Sequence, residues 1–176
     1  MIPLSTARAS ATSGTLTWSR FSCDRRHELR RNGEVVGELK RPSFWSASFI
    51  AETQHGSWRF RRSGFWGNVV EVADEASAEP VASFQAGYSR AALTFADGQV
   101  FQLTHQGWWR PVWTVATESG QPLLYVHVRE KKVELAAGAP ELGSRLLLPI
   151  LFTWYRVGQA EQDAANAALT VVVVAT

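Results

Sequence analysis

The sequence predicts a mainly β protein, with about twelve antiparallel strands closed into a barrel around one hydrophobic C-terminal helix. Three observations predict this class. Turn signals recur at roughly the 8–12-residue spacing of sandwiches and barrels. A short segment ending in an aromatic residue and Trp repeats three times. One run near the C-terminus, Leu146–Tyr155, is apolar on every side.

The turn signals bound strands near 16–23, 27–31, 34–40, 47–53, 57–62, 68–73, 79–85, 88–95, 99–104, 111–117, 121–128 and 131–135. Asn32-Gly33, His55-Gly56 and Asp97-Gly98 stand between apolar stretches, as hairpin turns do. A two-residue loop at His55-Gly56 pairs Thr53 with Trp58 and Ala51 with Phe60, and sets Glu52 opposite Arg59. At Asp97-Gly98 a three-residue loop with left-handed Gly98 places Leu93, Phe95, Phe101 and Leu103 on one face; a two-residue loop would split them.

The repeated segments are Leu39–Trp45, Phe60–Trp66 and Leu103–Trp109. The second and third stay in step beyond the aromatics: Val69, Val72, Ala73 and Glu75 fall on Val112, Val115, Ala116 and Glu118, and a one-residue slip brings Pro80 onto Pro122. Equivalent placement in each copy points to Trp45, Trp66 and Trp109 as core positions packed against the helix that carries Trp154.

After Gly138-Ala139-Pro140 the pattern changes. Leu146–Tyr155 carries no charge, and the alanine-rich stretch behind it favours helix. With Pro149 in the first turn, the helix is expected from about 148 to 168. Ten residues make about 15 Å of helix, half the roughly 30 Å hydrocarbon core of a bilayer. Burial in protein follows. Val171–Val174 reads equally as a last strand or as the end of this element.

The chain has 176 residues, 45% apolar, 19% charged and 11% aromatic, which excludes disorder over most of its length. A single cysteine, Cys23, excludes an internal disulfide and a Cys-rich zinc site. Residues 1–15 lack the apolar core of a secretory signal and read as a flexible tail, leaving 16–176 as one domain. A cytoplasmic protein, at most peripheral to a membrane, is expected.

Twelve strands, repeated units and a wholly apolar C-terminal helix resemble the tubby C-terminal-like superfamily, which includes tubby, LURP-one-related proteins and phospholipid scramblases. The resemblance is carried by the three repeated segments, the turns at Asn32-Gly33 and Asp97-Gly98, and the run Leu146–Tyr155. It spans about 16–170 as an architectural pattern, without a residue-by-residue signature. It implies a barrel built on a helix and contact with phosphoinositides or a membrane surface.

No common nucleotide, zinc-protease, thiol-redox or nucleophile-elbow motif is present, and no cofactor or metal is expected. Among the histidines, His55 falls in a turn, while His105 and His127 lie on strands that could meet across the sheet. Cys23 with His27 forms the one conceivable nucleophile–base pair, in a polar turn beside Asp24, Arg25 and Arg26.

Charge offers the best functional hint. Net charge is +2, yet residues 1–62 hold 11 basic and 5 acidic side chains, whereas 63–176 hold 7 and 11. Arg59, Arg61 and Arg62 cluster on one expected strand, and Lys40 and Arg41 hold the places of Arg61 and Arg62 in the first repeat, where the third has Thr104-His105-Gln106. These five are the candidate anion- or lipid-binding residues, since Arg guanidinium groups suit phosphate oxygens, and with the first two hairpins adjacent they are expected on one exposed face.

Three functions follow in order. The first is a non-catalytic barrel binding anionic lipid headgroups or a protein partner through a basic face. The second is a carrier of a small hydrophobic ligand in a Trp-lined interior. An enzyme comes last, and no nucleic-acid partner is expected.

Overall fold

In a computed structural model the chain forms a closed barrel of twelve antiparallel strands with one helix. The structure describes residues 15–21, 26–43, 48–63, 69–86, 90–107, 111–137, 139 and 143–174, with the side chains of the helix described as far as Ala160. The tail 1–14, Cys23, Trp45, Trp66 and Trp109 lie outside the described residues, so the expectations placed on them are not addressed by it.

The strands are β1 (Leu16–Phe21), β2 (Arg26–Arg31), β3 (Glu34–Lys40), β4 (Ser48–Thr53), β5 (Gly56–Ser63), β6 (Val69–Asp74), β7 (Pro80–Ala86), β8 (Arg90–Phe95), β9 (Val100–Gln106), β10 (Val112–Thr117), β11 (Pro122–His127) and β12 (Lys132–Leu135). Each pairs with its neighbours in sequence, and β1 closes on β12 through Leu16↔Val133 and Thr17↔Lys132. Closure leaves no edge strand open to another chain. Every expected strand is present, with ends within about two residues of the expected ones.

Alternation sets the faces. On β5, Trp58 and Phe60 are buried inward while Arg59 and Arg61 stand in solvent. Leu39, Phe60 and Leu103 fill inward positions on β3, β5 and β9. The Asp97-Gly98 loop has the expected form: Phe95 N donates to Gln99 O at 2.8 Å, Gly98 has φ +87°, and Leu93, Phe95, Phe101 and Leu103 are buried together.

The His55-Gly56 register differs from expectation. The turn is Gln54-His55, so Ala51 pairs with Trp58, Phe49 with Phe60 and Glu52 with Ser57. The Thr53 hydroxyl accepts from His55 N at 3.0 Å and donates to Gly56 O at 3.2 Å, capping the earlier turn. Faces survive because the slip is even, but Glu52 loses Arg59 as its partner.

The helix α1 (Ser144–Val174) threads the barrel. It starts four residues before the expected position, with the amides of Leu146 and Leu147 donating to Gly143 O at 3.0 Å each. Pro149 therefore sits inside the helix, where Thr153 Oγ1 donates to the Pro149 carbonyl at 2.8 Å. The backbone stays helical through Val171–Val174, which excludes the strand alternative.

Leu146, Leu147, Leu148, Ile150, Leu151, Phe152, Trp154 and Tyr155 are all buried, so the run has no solvent side and needs no polar face. Phe152 packs 4.3 Å from Phe84 and 5.7 Å from Phe60, ring centroid to centroid. Tyr155 meets Phe49 at 5.1 Å, and Trp154 meets Trp18 at 4.9 Å.

Candidate functional site

Strand direction alternates, so the connections after β1, β3, β5, β7, β9 and β11 gather at one end and the others at the opposite end. Arg145, at the start of α1, bonds Asp97 in the β8–β9 turn, which places the helix entrance at the second end. Its exit, near Tyr155 and Gln159, lies at the first.

Of the five candidate cations, three point outward on the wall. Lys40 Nζ donates to Glu52 Oε2 at 2.5 Å and lies 3.3 Å from Glu38. Arg59 grips Glu75 with two bonds, Nε to Oε2 at 2.8 Å and Nη2 to Oε1 at 2.6 Å. Arg61 Nη2 donates to Glu71 Oε2 at 2.8 Å. These bonds hold the Glu71 and Glu75 carboxyls below the usual carboxylate range and raise Lys40 above its ordinary value.

Arg59 and Arg61 border a cleft of about 720 Å³ on the outer wall of β5–β8. Its floor is made of small residues, Ala73, Pro80 and Ser83, between longer charged side chains. Glu71, Asp74 and Glu75 also line it, so carboxylates outnumber the two arginines. An anion entering this cleft would have to displace bonded glutamates.

Arg41 and Arg62 belong elsewhere. Both fall on inward-facing positions of the alternation at the end where the helix exits, Arg62 opposite Val70 on β6. Arg41 lies over the Phe49 ring, 5.8 Å from its centroid. The expectation of one shared face is corrected: alternation divides Lys40, Arg59 and Arg61 on the wall from Arg41 and Arg62 at the rim.

The ends differ sharply in charge. Take the described side chains in the connections and in the first or last two residues of each strand. The exit end holds Arg26, Lys40, Arg41, Arg62, Arg129, Lys131 and Lys132 against Glu130. The entrance end holds Glu34, Glu52, Asp74, Glu75, Glu79, Asp97, Glu118 and Glu134 against Arg30, Arg31 and Arg145.

Arg26, Lys40 and Lys132 reach down the wall to Glu28, Glu52 and Glu134. Arg129 and Lys131 are exposed and form no ion pair among the described residues. Sequence reasoning missed these two, although the signal was present: in a meander, the turn after β11 must join the turns after β3 and β5.

The histidines do not assemble a site. β10 separates His105 from His127; His105 packs tilted against Trp113, 5.0 Å between ring centroids, and His127 Nε2 lies 3.2 Å from Glu134. No metal-binding group of three or more ligands occurs among the described residues, and no helix there is long and apolar enough to cross a membrane. Comparison with protein-family models, curated proteins and solved structures finds no match to the chain.

Proposed function

We propose that this chain is a non-catalytic binding barrel that attaches to anionic lipid headgroups through its basic end, as a protein peripheral to a membrane. The observation that supports this reading is the axial separation of charge among the described residues, basic where the helix exits and acidic where it enters. Such a molecule is oriented by the field of an anionic surface before it touches it. Each basic side chain near that surface contributes about 1 kcal/mol, an effect that salt screens.

The carrier reading loses the space it requires. Phe152 and Tyr155 occupy the barrel axis and touch rings from the wall, the largest cleft beside Arg59 and Arg61 opens on the outer wall, and a smaller one opens at the helix entrance between Trp58, Phe95, Arg145 and Leu148.

Cosedimentation with vesicles tests the proposal. The protein is expected to bind phosphatidylcholine vesicles containing phosphatidylserine at low salt, to release as salt rises, and to ignore phosphatidylcholine alone. Failure to bind the anionic vesicles at low salt would overturn it.

A further inference from the structure

We infer that the wall cleft beside Arg59 and Arg61 and the smaller cleft at the helix entrance form one groove, which docks an extended basic segment of a partner protein. The inference goes beyond lipid attachment and does not depend on it. It rests on the strands β5–β8 and on the turns 75–79 and 96–99 at the acidic end.

The two clefts share Pro80, Phe95 and Ala96, so they meet at the lip of the barrel. Along β6 the wall part runs from Glu71 to Glu75, about 13 Å at the rise of a strand. Past the lip the smaller cleft, about 360 Å³, reaches Arg145 and Leu148. Such a length suits roughly four or five residues of extended chain and exceeds a small amine.

The floor fits a backbone. Ala73, Pro80 and Ala96 are short enough for one to lie close. Ser83 and Thr94 stand opposite each other on β7 and β8, and neither hydroxyl has a hydrogen bond among the described residues. Each can give and accept a bond with a docked peptide group. The closed barrel has no strand edge to extend, so side chains must hold the partner.

Charge selects the partner. Each arginine lining the groove is bonded to a carboxylate: Arg59 to Glu75, Arg61 to Glu71 and Arg145 to Asp97. Asp74 also lines it and has no ion pair among the described residues; its Oδ1 accepts from the amides of Ala76 and Ser77. Glu79 is exposed and likewise without an ion pair there, and its carbonyl accepts from Asp74 N at 2.9 Å. The lip is therefore negative, within an end of the barrel that is acidic as a whole. A lysine or arginine arriving there breaks no existing ion pair, and the field of that end steers it in. Trp58, Phe95 and Leu148 line the entrance side, which suits an apolar neighbour of that cation.

NMR titration of the isotope-labelled protein at low salt, with two synthetic hexapeptides, tests this. One alternates lysine with alanine, the other glutamate with alanine. The lysine peptide should shift the amides of Ser83, Thr94 and Ala96, and the glutamate peptide should not. Asp74→Asn with Glu79→Gln should weaken binding about tenfold. Glu34→Gln with Glu118→Gln, on other turns of the same end, should change it by less than about twofold. Ser83→Tyr, which fills the floor and keeps the charge, should abolish the shifts. Thermal melts check the fold of each variant, and Ser83→Tyr carries the test if the Asp74 double variant is unstable.

No binding of the lysine peptide at low salt would overturn the inference. So would shifts spread evenly over the acidic end, an equal loss in the Glu34 and Glu118 variant, or unimpaired binding by Ser83→Tyr. Spermidine bound as tightly as the peptide would assign the groove to a small amine, and self-association through it to a second copy; either result overturns a partner segment. Lipid attachment is read separately, with vesicles, and stands or falls apart from these results.

Discussion

Gly37 makes room for Leu151. A Cβ placed on Gly37 would lie 3.4 Å from Leu151 Cδ2 and 3.4 Å from Thr53 Cγ2, at the edge of ordinary contact, so a methyl just fits there and a longer side chain would meet the helix. Gly37→Ala is expected to be nearly neutral, because that contact is only just tight and alanine lowers the entropy of the unfolded chain. Gly37→Leu should cost about 1–3 kcal/mol by overpacking, and Leu151→Ala should relieve part of that cost in the double variant. Urea denaturation of the four proteins checks both statements. Additive losses would show that the two residues do not share the space.

The central aromatic layer carries a larger expectation. Phe152 has no exposed surface and touches Phe84, Phe60 and Tyr155. Phe152→Ala should destabilise the barrel by roughly 3–5 kcal/mol, a large share of a typical domain stability of about 5–15 kcal/mol. The loss is read from the denaturation midpoint. A loss below about 1 kcal/mol would mean that the helix does not organise the core.

The helix entrance should respond to acid. Arg145 bonds Asp97 and lies 5.0 Å over the Phe95 ring. That bond, with a further one from Gln99 N at 3.2 Å, holds the Asp97 carboxyl below its ordinary value. Because the folded group is the more acidic, its contribution is complete above the unfolded value of about 3.9 and is withdrawn as pH falls through the folded one. NMR titration should place the Asp97 midpoint below the ordinary aspartate value, and Arg145→Ala should raise it. The difference in melting temperature between wild type and variant should narrow in acid. A wild-type midpoint at the ordinary value would refute the link.

Much of this architecture is legible in the residues, and the exceptions have physical causes. The Asp97-Gly98 register could be read because only one loop length keeps Leu93, Phe95, Phe101 and Leu103 on one face. At His55-Gly56 both registers keep the faces, and the Thr53 hydroxyl decides between them, which periodicity does not reveal. The helix start was hidden because Pro149 suits a first turn, yet the burial of Leu146–Leu148 rewards beginning earlier. The basic end was hidden for a different reason. Lys40, Arg41, Arg59, Arg61 and Arg62 are near in sequence, whereas Arg41, Arg62, Arg129 and Lys131 are gathered by strand direction. The hairpins β6–β7 and β10–β11 both bulge after the valine that precedes Ala73 or Ala116, opposite Pro80 and Pro122.

End-on attachment is the core of this account, and a pair of site-specific probes tests it most directly. In a Cys23→Ser background, a polarity-sensitive fluorophore is attached at Glu130→Cys in the basic end or at Ser119→Cys in the acidic end; both positions are exposed. On phosphatidylserine-containing vesicles the probe at position 130 should shift toward the blue and brighten. The probe at 119 should stay as it is in buffer. Equal responses, or a response at 119 alone, would contradict docking through the basic end.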